Sequence, residues 1–206
     1  DDPFTDNSSN SVTITNADIV LASKFGPFAG SDAKGGMVWI KARDTSSEEP
    51  NVHDTVRGAG QRLMTHNASA NSNETQTLKS FHKNGFIVGD ANMVNSLSYR
   101  YNSWTWALHE KFFDIVQYSG QNTDLTITHG LKSVPGMVWV KRTDTSGDWY
   151  VWHRSINQSE NLVLNSGGDV GGNNLWTSTT PTATQFTIAG NAVSYTHLTL
   201  PTMAIV

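Results

Sequence analysis

The chain has 206 residues and a formal charge of −4, with only 16% of its residues charged, where an ordinary globular domain has about a quarter. Ser, Thr and Asn fill the difference with 21, 23 and 18 residues, and 10% aromatics including seven Trp exclude a disordered acidic tail, which lacks the apolar surface to fold. No Lys/Arg-rich stretch interleaves with aromatics, no apolar run reaches the ~18 residues of a membrane helix, and there is no cysteine; these exclude a basic nucleic-acid groove, a helical membrane span, a disulfide framework and a thiolate metal site.

In chain order, residues 1–34 are rich in Asp, Asn and Ser and begin at Asp1 without Met or a leader, which reads as a piece of something longer. The oxygens of Asp1-Asp2 and Asp6-Asn7 are of the kind a structural calcium takes, although a solvated linker is the plainer reading. No other cofactor is implied. Gly30 to Gly36 resembles a phosphate loop only in glycine content, and Gly58-Ala59-Gly60 lacks the third glycine of a dinucleotide fingerprint. Both read as turns.

The first strong strand signal is Gly36-Met37-Val38-Trp39-Ile40-Lys41, and it recurs as Gly136-Met137-Val138-Trp139-Val140-Lys141. One offset of 100 then aligns Asp44-Thr45-Ser46 with Asp144-Thr145-Ser146, His53 with His153, Leu63 and Met64 with Val163 and Leu164, and Phe86 with Phe186. This predicts two copies of one unit joined near Leu108 to Phe112. Copy 1 closes with a longer strand, Tyr99 to His109, that carries Trp104, Trp106 and Leu108 on one side.

In copy 2, Met137 to Arg142 forms a strand bounded by Pro135-Gly136 and the Thr143 to Gly147 turn. Asp148 to Arg154 follows at hairpin distance, with Trp149, Val151 and His153 on one face and Tyr150 and Trp152 on the other. Asn161 to Asn165 and Gln185 to Ala189 supply two more strands. No stretch holds a 3.6-residue apolar period. Many short strands separated by turns predict an all-β protein, two tandem concanavalin-like or jelly-roll β-sandwich units of which the second is truncated.

Catalytic patterns are weak. A sandwich glycosidase needs two carboxylates flanking the scissile bond; the Glu-x-Asp-x-x-Glu string is absent, and Glu48-Glu49 sits beside Pro50 in a turn. His109-Glu110 has no second His at zincin spacing, and the seven His are scattered. Asn7, Asn67, Asn73 and Asn157 lie in Asn-x-Ser/Thr sequons. The repeated Trp39 and Trp139 read as packing residues, and Arg57 and Arg154 as side chains laid over aromatics. Trp149 and Trp152 point to opposite faces, so one of them, with Tyr150, is the candidate saccharide-stacking platform. No catalytic, metal or cofactor residue is assigned.

From Val193 the chain reads Val-Ser-Tyr-Thr-His-Leu-Thr-Leu-Pro-Thr, which looks like the translation of a transposase-type sequencing adapter. Residues 193–206 are therefore expected to be a non-native tail, and copy 2 to lack its closing strand. Further blocks carry a family resemblance: Lys111-Phe112-Phe113-Asp114-Ile115-Val116-Gln117-Tyr118-Ser119-Gly120, Thr126-Ile127-Thr128-His129-Gly130-Leu131, Val134-Pro135-Gly136-Met137, and Trp149 to Ser155. Together they resemble a repeat domain of uncharacterised function from tail-fibre and other virion proteins of marine tailed phages. His53-Asp54-Thr55-Val56-Arg57-Gly58 is similar to that repeat's Trp-Asp-Thr-Ala-Arg-Gly segment, with His53 in place of Trp. The resemblance implies a lectin-like sandwich and carries no catalytic residues.

The expected organisation is an N-terminal segment at 1–34, copy 1 at 35–110, copy 2 at 111–192 and the tail at 193–206. The expected function is non-enzymatic: a structural, host-surface-binding module of a virion tail fibre that takes saccharide at Trp149, Tyr150 and Trp152. The implied partners are a host cell-surface saccharide or receptor and other virion tail proteins, within a homo-oligomeric fibre outside the cell, with neither nucleic acid nor membrane insertion. The alternative is a secreted carbohydrate-binding module or an accessory domain of a polysaccharide-degrading enzyme.

Overall fold

The computed structural model describes residues 4–7, 11–15, 34–83, 85–172 and 175–190, the first two stretches as backbone. The Asp1-Asp2 part of the calcium expectation and the 193–206 tail lie outside the described residues. Among the described residues there is no helix, and every strand pairing is antiparallel. The contacts divide the chain into unit 1, residues 1–65 and 71–108, and unit 2, residues 66–70 and 109–206.

Unit 1 contains β1 (Phe4–Asn7), β2 (Ser11–Thr15), β3 (Gly36–Ala42), β4 (Asn51–Asp54), β5 (Gln61–Met64), β6 (Ser72–Asn73), β7 (Leu78–His82), β8 (Gly85–Val88) and β9 (Tyr101–Ala107). They form one sheet in the order β1-β2-β8-β7 and another in the order β6-β5-β4-β3-β9. Side-chain alternation along β3 sends Val38 and Ile40 to one face, where they meet Leu78, Phe86, Val88 and Val94 from the first sheet and its following loop. The core thus lies between two sheets, which is the layering of a β-sandwich. Full burial of a side chain such as Phe86 stabilises the fold by about 1.5–3 kcal/mol.

Unit 2 contains β10 (Leu125–Thr128), β11 (Met137–Lys141), β12 (Trp149–His153), β13 (Glu160–Val163), β14 (Gly171–Gly172) and β15 (Gln185–Ile188). β10 pairs with β15, and the other four follow the order β11-β12-β13-β14. Ile127, Phe186 and Ile188 from the small sheet pack on Val138, Val140 and Trp152 from the larger one, with Leu175 and Trp176 beside them. The Phe-Phe-Asp block is a buckle of this unit. Phe113 is buried, and His109 and Phe113 exchange backbone hydrogen bonds at 2.9 and 3.0 Å. Asp114 Oδ2 accepts from Gly130 N at 2.6 Å.

The two units share strand pairings, but not at one constant offset. Val38 pairs with His53, whereas Val138 pairs with Trp152; Val52 pairs with Leu63, whereas Val151 pairs with Leu162. Between the first hairpin and the third strand the offset is therefore 99, because the loop after Ile40 is one residue longer than the loop after Val140. His53 corresponds to Trp152, not to His153, and Leu63 and Met64 correspond to Leu162 and Val163. Phe86 and Phe186 keep the offset of 100, each pairing with the isoleucine of an opening strand, Ile14 or Ile127.

Those opening strands are themselves alike. Val12-Thr13-Ile14-Thr15 corresponds to Leu125-Thr126-Ile127-Thr128, at an offset of 113. Ser11–Thr15, within the segment set apart as 1–34, is thus a strand of unit 1.

Candidate functional site

The expected stacking platform on β12 does not form. Trp149 is fully buried and Trp152 is 3% exposed. Trp152 points into the unit 2 core, and Tyr150 is half-buried against the same cluster. The opposite face of β12 is covered as well, since Lys141 and Val151 beside Trp149 are buried, and Trp139 meets the Trp149 ring edge-on with centroids 6.4 Å apart. Strand alternation separates Trp149 from Trp152, but a sheet buried on both faces leaves neither of these tryptophans a ring for a ligand.

An aromatic platform is present in unit 1 instead. β9 is the edge strand of the five-stranded sheet, and its register sets Trp106 opposite Met37, Trp104 opposite Trp39 and Asn102 opposite Lys41. These six side chains share the face turned away from the core. Trp39 lies 5.9 Å from Trp104 and 6.4 Å from Trp106 between ring centroids, spacings at which aromatic pairs add about 0.5–1.5 kcal/mol beyond burial. Trp104 is 45% exposed, so a ring at the strip's edge is both braced and solvated. The sequence places Trp104 and Trp106 on one side of a closing strand; that this strand is an edge, and that Trp39 stands beneath it, follows only from the register.

Beyond Asn102 and Lys41 the ladder continues, with Arg43 N donating to Arg100 O at 2.7 Å. Arg100 holds Asp44 through Nη2–Oδ1 at 2.8 Å and Nε–Oδ2 at 2.9 Å, and Arg100 N also donates to Asp44 Oδ2 at 2.8 Å. These hydrogen bonds from Arg100 keep the exposed Asp44 carboxyl below the usual carboxylate range. Lys41 Nζ donates to Ala42 O at 2.6 Å and Thr45 O at 3.0 Å, tying down the loop that carries Arg43 and Asp44.

Several other polar side chains make structural contacts. Arg57 is not laid over an aromatic ring but held in a buried network. Its Nε donates to Asp54 Oδ2 at 2.5 Å, its Nη1 to Asn71 Oδ1 at 2.8 Å and its Nη2 to Val52 O at 3.2 Å. His53 Nδ1 lies 3.0 Å from Ala59 O and 3.1 Å from Gln61 O; two acceptors require the proton on Nδ1. Burial, reinforced by the Arg57 charge, pushes His53 down to about 3. Burial likewise lowers His129, which stacks on Phe186 at 6.2 Å. Glu110, next to His109, pairs with Lys132. Among the described residues no three His, Asp or Glu side chains are grouped to hold a metal ion.

A family model described as Domain of unknown function (DUF7483) matches residues 10–200. No curated protein and no solved structure matches the chain.

Proposed function

The chain belongs to the DUF7483 family, and we propose that it serves as a non-enzymatic structural and host-surface-binding module of a phage virion, with saccharide as its ligand. The observation that carries this reading is the 45% exposure of Trp104 over the Trp39 and Trp106 rings. The apolar C–H face of a sugar ring matches an exposed indole, and the amide of Asn102, one rung along, suits its hydroxyls. A pure spacer has no need of a braced, solvated tryptophan at a sheet edge. The likeness of the Lys111 to Gly120 block to phage tail-fibre repeats supports the virion context, where weak sites gain avidity from several fibre copies. The sandwich supplies a rigid floor, since the strip is built on paired strands rather than on loops.

The test is affinity electrophoresis of the whole chain through gels loaded with bacterial surface polysaccharides. Retardation that Trp104→Ala abolishes, while the variant keeps its circular dichroism spectrum, supports the reading. Unretarded migration in every gel leaves only the structural role.

A further inference from the structure

We infer that the Trp104 strip takes an anionic saccharide, with a sugar ring on Trp104 and its carboxylate or sulfate group at Arg43 and Arg100. This deepens the proposed saccharide reading and rests on it. The strip is polarised along β3 and β9. Successive rungs on one face are about 6.8 Å apart, and they run Met37 with Trp106, Trp39 with Trp104, and Lys41 with Asn102, followed by Arg43 with Arg100. The aromatic floor therefore ends, within about 14 Å of Trp104, in a group of cations.

The two polar rungs, Lys41 with Asn102 and Arg43 with Arg100, carry three cations in a chain whose formal charge is −4. Lys41, Arg43 and Arg100 stand on these rungs beside Asp44, while Glu48 and Glu49 lie further along the same loop, before Pro50. A neutral sugar gains nothing from such a group, whereas an anionic one is drawn and oriented by it.

Arg100 is also held in place before any ligand arrives. The Asp44 carboxylate engages Nε and Nη2 of Arg100, which leaves Nη1 of a side chain that is 74% exposed. A guanidinium so fixed presents planar donors suited to a carboxylate or sulfate. Arg43 is exposed beside it. The Lys41 ammonium, spent on two carbonyls of the same loop, acts as a positioning group.

The experiment titrates the intact chain, followed by tryptophan fluorescence and calorimetry, with polygalacturonate oligomers, carrageenan oligomers (which carry sulfate and no carboxylate) and neutral cello-oligosaccharides of equal length. Binding of one or both anionic series is expected, and which of the two binds tells carboxylate from sulfate. Affinity should fall tenfold or more in Trp104→Ala and two- to fivefold in Arg43→Gln, and it should weaken with added salt. Neutral oligomers that bind as well as the anionic ones, with Arg43→Gln silent, overturn the anionic assignment and leave the saccharide reading standing. Anionic binding that survives Trp104→Ala unchanged is ion exchange and overturns the strip as the site. No binding by any series overturns the saccharide reading itself.

Discussion

His53 stands directly across the β3–β4 ladder from Val38, so an imidazole occupies the core-facing position that an indole takes opposite Val138 in unit 2. It survives there because Nδ1–H is shared by two backbone carbonyls and because the ring is neutral. Keeping it neutral makes unit 1 sensitive to acid in a way that its tryptophan counterpart is not.

The pH dependence has a definite sign. His53 goes from 6.5 in the unfolded chain to about 3 in the fold, so the unfolded state binds the proton first. The stabilisation is complete above pH 6.5 and is lost as the pH falls from 6.5 toward 3, about 2 kcal/mol of it by pH 5. His129, lowered in the same direction, adds to the loss. Denaturant unfolding at pH 7.5 and pH 5 should show the midpoint dropping, with a shallower drop in His53→Phe. An unchanged pH slope in that variant would falsify the assignment.

Arg57 and Asp54 form a buried ion pair in unit 1, with side chains 6% and 0% exposed. Asp54 Oδ1 also accepts from the backbone N–H groups of Val56 and Arg57 at 3.0 and 2.8 Å, which fixes the turn after β4. Removing one partner leaves the other charge desolvated, at a cost of about 3–5 kcal/mol. Arg57→Met should lose about that much in urea unfolding, far more than removal of the exposed partner in Arg100→Met, for which under 1 kcal/mol is expected. Equal losses would mean that Asp54 is satisfied by its backbone donors alone.

What was legible in the chain and what was not divides along one physical line. The hairpin strand Gly36 to Lys41 and its copy, the Phe86 and Phe186 strands and the all-β class are written in period-two alternation of β-formers, a local property. The one-residue slip that pairs His53 with Val38 is not, because Asp44-Thr45-Ser46 aligns without a gap while the extra residue sits in a loop with no pattern of its own. The opening strand of unit 1 was readable from Val12-Thr13-Ile14-Thr15 beside Leu125-Thr126-Ile127-Thr128, but at an offset of 113 that a single comb of 100 passes over. Burial of Trp149 was out of reach, since alternation says which way a side chain points and not what lies above it. The exposure of Trp104 is likewise a consequence of its strand's place at a sheet edge.

Two lysines repeat one device with different depth. Lys141 Nζ is fully buried and donates to Ala68 O, Arg142 O and Gly147 O at 3.3, 2.7 and 2.9 Å, whereas Lys41 is half-buried and serves two carbonyls. Lys141→Met keeps the aliphatic stem and strands buried acceptors, at about 1–3 kcal/mol. Lys41→Met exposes its carbonyls to water and should cost under 1 kcal/mol. Thermal melts of the two variants at one pH give the comparison, and a larger loss from Lys41→Met would reverse the ranking.

Gly89 and Gly190 close the strands that carry Phe86 and Phe186, and each lies where backbone passes against backbone. A Cβ on Gly89 would stand 2.2 Å from Gln76 O, and one on Gly190 would stand 2.4 Å from Thr123 C. Neither neighbour is the end of a flexible side chain, so the main chain must shift. The shift also strains hydrogen bonds that hold the crossing: Gly89 N to Thr77 O at 2.7 Å and Gly190 N to Asp124 Oδ1 at 3.0 Å. Gly89→Ala and Gly190→Ala should each cost about 1–3 kcal/mol, the range for forcing extra volume into a packed site. Gly167→Ala, which meets nothing within 4 Å, should stay within about 0.5 kcal/mol of the parent. Urea midpoints of the three variants decide it: tolerance of alanine at Gly89 or Gly190 would mean that the strand end moves freely and does not anchor the sheet that carries the core phenylalanine.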